Sequence, residues 1–527
     1  MMSSLAKLSL PAALLAGLSV FAVAQTVAQA ATQNDAGQVS FSNSGTNAAQ
    51  PAFLHGLAEL HDFEYDIAAK DFRKAEAIDP NFAMAYWGEA MTFNHPIWMQ
   101  QDRAAALAVL QPLGPTSAAR LAKAPTEREK DYLRAVEILY AGGPKKDRDL
   151  RYADAMQQIH AQYPGDVDAA AFYALSLLGT AEGVRDERIY MQAAAILIPL
   201  FYKYPHHPGV AHYLIHSCDD PIHAPLALPA ALAYSKIAPN AAHAQHMTSH
   251  IFLALGMWNR VVRANQVATR VVNTQRAAAG KPPAHCGHYN YWLEYGYLEQ
   301  DQIDSAKSVL TACRAQAQEA LHDGTSDLAI DPDGSKVGSS IRMQVRYLVD
   351  TADWSGDVAH WTFDLKNAPM PRYDQTFGIG FAAAERGDLA TARQSLAAMD
   401  ALLPALPALF DKAGSAPNDP GRHGPQTQRD ELEAVLLARE GHGEQAIALA
   451  RKAADEAQSL SYAFGPPYPE KPAIELLGDL LLEQKQPELA LSAFQQDLLR
   501  NPNRTQAVAD LKRAQAASGI APARSLP

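Results

Sequence analysis

From Pro51 to about residue 514 the apolar positions, chiefly Ala and Leu, recur at i, i+3 and i+4, the spacing of one helix face. Val, Ile and Thr do not collect into alternating runs, so the pattern predicts an all-α chain without strands. The punctuation also recurs. Gly56, Ala68, Phe72, Ala75 and Pro80 form a G…A-x3-F-x2-A-x4-P skeleton, and Leu477, Gly478, Leu481, Ala490, Phe494 and Pro502 repeat it near the end. Small residues let two helices approach, Phe fills the space between them, and Pro ends the second helix. Pro205 and Pro239 close two further units 34 residues apart, Pro164 closes another, and Gly256, Val261 and Ala268 continue the register. Later units centre on 289–316, 375–400 and 429–457. The expected architecture is a single elongated solenoid of roughly eight or nine helix–turn–helix units over 51–514.

Three Gly/Pro/Ser-rich stretches interrupt this array and are expected to be loops: 277–287, 324–340 with its DPDG turn, and 413–428. Residues 31–50 lack helical periodicity and read as a flexible lead-in, and 515–527 as a tail. Residues 1–30 have the layout of a secretory signal peptide. Lys7 precedes an apolar run from Leu8 to about Ala24, and Ala28-Gln29-Ala30 resembles a cleavage site, with Ala24 as the alternative. That predicts a periplasmic or secreted protein with no membrane span once the leader is removed.

Composition narrows the partners. A net charge of −12 without a compensating basic run argues against nucleic acid. Cys218, Cys286 and Cys313 are an odd number for an oxidising compartment, so at least one thiol stays free, pairs between chains or meets a metal. A small buried thiol is the expectation for Cys313; Cys218 and Cys286 stay open.

The chemistry concentrates in His206–His250, which holds eight of the eighteen histidines. His212/His216 and His246/His250 are two HxxxH pairs, offset by 34 residues at both positions. Residues four apart share a helix face. Packed helices lie about 8–10 Å apart. The two pairs are therefore expected to converge on one transition metal ion, zinc or copper, with two three-histidine sets holding paired copper as a variant. His243, His223, Asp219 and Asp220 are the candidate neighbours, as further ligands or as acceptors for imidazole N–H groups. His206 and His207, beside Pro205 at a repeat junction, are expected to be structural. His285 and His288 flank Cys286 as a second metal candidate, and the remaining histidines, His61 among them, are expected to be ordinary. No G-x-S-x-G elbow, phosphate loop or HExxH helix occurs.

The repeat skeleton resembles that of tetratricopeptide proteins. The segments HPGVAHYLIHSCDDPIHAP (from His207), HAQHMTSHIFLALGMW (from His243) and FGPPYPEKPAIELLGDLLLEQKQPELALSAF (from Phe464) look like those of a group of predicted secreted bacterial members with no established activity. AMAYWGEAMTFNHPIW (from Ala83) is similar to the same group. The resemblance implies a right-handed superhelix whose concave wall is lined by positions 2, 5, 9, 12 and 13 of each repeat. With Pro205 and Pro239 at position 32, His212 and His246 take position 5, His216 and His250 position 9, and His243 position 2. With Ala306 at position 20, His288, Tyr291 and Tyr295 take positions 2, 5 and 9. Trp87 and His95 join them as groove candidates from an earlier repeat. Three functions fit: a metal-binding solenoid, with an enzyme that has an open coordination position and a small-molecule substrate as its variant; a scaffold whose groove captures a peptide or protein; and an envelope assembly factor without a ligand.

Overall fold

The computed structural model describes residues 35–324, 334–366 and 368–519. Within them the chain is all-α, and successive helices pack as antiparallel pairs stacked into a superhelix. The exception is a two-residue antiparallel ladder, Asn94–His95 with Gln100–Gln101, framing a tight hairpin that the apolar pattern does not reveal. The skeleton does the packing expected of it. A Cβ on Gly478 would lie 2.5 Å from Cε1 of Phe494, so only glycine lets that ring seat between the paired helices.

Five helices position the site: α1 (Gln50–His61), α2 (Val167–Gly179), α3 (Pro208–Ser217), α4 (Ala242–Ala254) and α5 (His288–Leu298). Helix α2 starts at Asp166, whose carboxylate accepts from Ala169 N–H at 3.2 Å. Helix α3 has Pro208 in its first turn and His207 as its cap, with Nδ1 accepting from Val210 N–H at 3.3 Å. Helix α4 has no cap of its own. The carboxylate of Glu64, from the turn after α1, supplies one by accepting from His243 N–H at 3.0 Å.

The expected boundaries shift in four places. Residues 35–49 of the lead-in are an extended strap on the body: Gln38 N–H donates to His206 O at 2.9 Å, Phe41 is buried, and Ser44 bonds Glu129. Of the stretch 413–428, only 414–419 lies between helices, because Pro420 starts the helix Pro420–Arg439 with Asp419 as its cap. Lys336 likewise opens a helix inside 324–340. The last helix, Thr505–Ser518, runs past 514. The stretch 1–30 expected to be a signal peptide, Asp331–Asp333 of the DPDG turn and residues 520–527 lie outside the described residues.

The solenoid also closes on itself instead of running out as an elongated rod. Arg504, fully buried, pairs with Glu475 at 2.7 Å, Asp350 at 2.7 Å and Glu299 at 3.0 Å. Trp258 Nε1–H donates to Asn503 O at 2.8 Å. The segment 460–472 crosses the concave side. Phe464 stacks on Tyr190 at 6.0 Å, Gly465 lies on Trp292, and the carbonyls of Pro467 and Glu470 accept from the buried Arg346.

Candidate metal centre

The histidines gather as two sets of three. His212, His216 and His243 form one, and His246, His250 and His288 the other. In each set a ring nitrogen from every residue lies within 4.8 Å of the others. The four HxxxH histidines therefore do not meet around one ion. Each pair from one repeat takes its third member from the next helix: α3 with α4, then α4 with α5. In repeat positions both sets are 5 and 9 of one unit with 2 of the following unit. His243 and His288 are 45 residues apart, one 34-residue repeat plus the 11 residues of 277–287, so the insertion leaves the pattern intact. The sets adjoin, with His216 and His250 rings 6.2 Å apart and His243 and His246 rings 6.3 Å apart.

Hydrogen bonds fix which nitrogen faces each set. His212 Nδ1 is 2.7 Å from the carbonyl of His61, which only accepts, so Nδ1 carries the proton and Nε2 holds a lone pair. His246 Nδ1 likewise donates to Asn265 Oδ1 at 2.7 Å, an oxygen identified by the bond from Asn265 Nδ2 to Val261 O. His250 Nδ1 donates to Asp219 at 2.5 Å. The Nε2 atoms of His246 and His250 then face each other at 3.0 Å. Two ligands at 2.0–2.1 Å on a tetrahedral ion would sit about 3.3 Å apart. In the first set Nε2 of His212, His216 and His243 is buried without a hydrogen-bond partner. Burial, reinforced by the neighbouring rings, holds His212, His216, His243 and His246 well below the ordinary imidazole range. All four are neutral bases.

Aromatic rings wall both sets. Phe63 lies 4.3 Å from His212, 5.6 Å from His243 and 5.8 Å from His216 between ring centroids. Its backbone is left-handed (φ 60°), a conformation costing a non-glycine residue about 1–2 kcal/mol that persists only where the surroundings enforce it. Trp292 covers the second set, 4.4 Å from His250 and 4.8 Å from His246.

A third group lies beneath α3. His61 Nε2 and His207 Nε2 both reach Asp168 Oδ1, at 2.9 and 3.2 Å, and His61 Nδ1 meets Tyr213 Oη at 2.9 Å. With His207 Nδ1 taken by Val210 N–H, these imidazoles have no lone pair left for an ion. The group is a buried brace, and its carbonyl at His61 aims His212. His207 is thus structural as expected, whereas His61 is far from ordinary.

The other candidates sit elsewhere. Asp219 orients His250. Asp220 and His223 belong to a separate network in which Asp220 pairs with Arg185 and accepts from His223 Nδ1 at 2.8 Å. Trp87 is core, stacked on Phe41 at 5.5 Å with no place in the groove. His95 stacks on Tyr65 at 3.9 Å in the hairpin. Tyr291 and Tyr295 are buried against Arg342 and Arg346, away from the histidines. His285 offers its backbone N–H to Gln316 and joins neither set. Cys313 is not a thiol but is disulfide-bonded to Cys286, tying the 277–287 loop beside His288 to the helix Ile303–His322; Cys218 is free and buried.

No protein-family profile matches the chain, and no curated protein sequence does. Among solved structures it is similar to the Cut9–Hcn1 tetramer of the APC/C, at 13% identity and TM-score 0.34, covering 94% of this chain and 82% of that one. Yeast Tom70 aligns at 11% identity and TM-score 0.33, covering 89% of each chain. Human IFIT1, solved as a dimer with PPP-AAAA, aligns at 12% identity and TM-score 0.36, covering 89% and 91%. At such scores the helical-repeat assignment rests on this chain's own helices.

Proposed function

We propose that this protein is a metal-dependent enzyme built on a tetratricopeptide-like solenoid, with two adjacent transition metal ions, each held by three imidazoles. The observation that carries the reading is the first histidine set, in which Nε2 of His212, His216 and His243 lie close together, buried and without a hydrogen-bond partner. A cation bound there would satisfy all three. Neutral imidazoles suit copper and zinc, and the Irving–Williams order puts copper first. Three protein ligands per ion leave a fourth tetrahedral position open, as catalytic sites do and closed structural sites do not. The chain's own part is to aim Nε2 of His212, His246 and His250, to keep His212, His216, His243 and His246 unprotonated by burial, and to screen the sets with Phe63 and Trp292.

The Cys286–Cys313 disulfide and the leader-like N-terminus support a periplasmic or secreted location. Among the described residues no helix is long and apolar enough to cross a membrane. A peptide-capturing groove is the weaker reading, because 460–472 already occupies the concave side over Trp292.

Elemental analysis of protein purified without an affinity tag tests the proposal. Two ions per chain are expected, with one lost in His212→Ala/His243→Ala and the other in His246→Ala. Substoichiometric metal indifferent to these variants would overturn it.

A further inference from the structure

On the far side of the hairpin, Trp98 faces a solvent-open cleft of about 1160 Å³ between the N-terminal repeats and the C-terminal ones. Its walls are apolar and aromatic, with Trp98 and Met99 on one side and Met370 and Phe410 on the other. Its polar end is acidic. Asp374, Glu470 and Tyr468 line it together with one guanidinium, Arg342. Arg342 is already engaged, 3.8 Å from Glu470 and over the rings of Tyr291 and Tyr468. The atoms Asp374 Oδ1 and Tyr468 Oη are buried without a hydrogen-bond partner, while the Asp374 carboxyl also meets Gln428. Leaving such atoms unmet is costly, so a ligand that meets them is preferred.

We infer that this cleft is a binding site for a small organic cation, a primary amine on an aromatic or aliphatic body. The body packs between Trp98 and Phe410, and the ammonium donates to Asp374 Oδ1 with Tyr468 Oη in reach. Four carboxyls line the cleft, Glu182, Asp374, Asp419 and Glu470, against one guanidinium, which favours a cation over an anion, and the aromatic walls favour it further through their ring faces. Burial and the charge of Glu470 push the Asp374 carboxyl well above its usual range. An incoming ammonium supplies the counter-charge that lets it ionise. The site also neighbours the histidines: Trp98 lies 5.6 Å from both His243 and Phe63, so a bound amine sits one ring away from the first set.

The test needs no metal, which keeps it separate from the proposed enzyme activity. Calorimetric titration of the metal-free full chain with 2-phenylethylammonium should saturate, with 2-phenylethanol weaker and 3-phenylpropionate silent. Asp374→Asn, nearly isosteric, should weaken the amine about tenfold or more and leave the alcohol unchanged. Trp98→Ala, at an exposed position, should weaken both. Absence of saturable binding, equal binding of the carboxylate, or an amine affinity indifferent to Asp374→Asn would overturn the inference.

Discussion

Gly465 lies flat on the indole of Trp292, so close that a Cβ there would come within 2.5 Å of Cζ2. Its φ of +96° is also one that an L-residue rarely adopts. Gly465→Ala is therefore expected to destabilise the fold by about 1–3 kcal/mol through overpacking and backbone strain. The displaced indole should disturb the second histidine set and spare the first. Chemical denaturation and metal content of the same sample check this, and an unaltered second site in a destabilised protein would break the link from Gly465 through Trp292 to His250.

Asp219 reaches the second set through a single bond to His250 Nδ1. Asp219→Ala removes the acceptor that fixes this ring, and losses of outer-shell partners of this kind typically reduce metal affinity about 10–100-fold. The first set keeps its aim from the His61 carbonyl, so only one of two binding steps should weaken in a competition titration.

Acid should act on the metal-free fold before it acts on ligation. His61 is buried and lowered to about 4, so the unfolded chain takes up its proton at higher pH than the folded one. Its contribution is complete above the ordinary value of about 6.5 and is lost as pH falls from there to about 4, a change of about 3 kcal/mol. The depressed set histidines add in the same direction. Metal affinity of the first set in the folded protein, by contrast, should stay level just below pH 6.5, because burial already keeps its imidazoles deprotonated there. Denaturation midpoints and metal titrations over pH 4 to 8 separate the two effects.

The Cys286–Cys313 disulfide anchors the loop that delivers His288. Cys286→Ser/Cys313→Ser is expected to cost about 2–4 kcal/mol and to loosen the second ion selectively, since its third ligand comes from the freed segment. Equal retention of both ions by the double variant would show that α5 alone places His288.

Much of this site was legible from spacing. The 34-residue offset put His212, His216, His246 and His250 at equivalent repeat positions, and the same register put His243 and His288 together at position 2. What spacing could not supply was the partition. An HxxxH pair is read along one helix, whereas each ligand set closes across the boundary between repeats, where inter-helix stagger decides. Trp87, Tyr291 and Tyr295 fell at groove positions yet pack inward or against arginines, because strap residues such as Phe41 and the segment 460–472 cover the wall that an open solenoid would expose. His61 lacked any sequence signal; its role comes from contacts with residues more than a hundred positions away, Asp168 and Tyr213.

The buried Arg504 has a consequence for how such a protein comes into being. An open repeat array is nearly one-dimensional, each unit answering only to its neighbours, and can fold or fray piece by piece. Here residue 504 must find Glu299, 205 positions earlier, and 460–472 must settle over Trp292. Such distant contacts slow folding and bind its parts into one event. The cover over the second histidine set comes from 460–472, so that set cannot be finished until this distant segment has folded onto it. On the proposed reading, an ion would enter the second set only after that cover is in place.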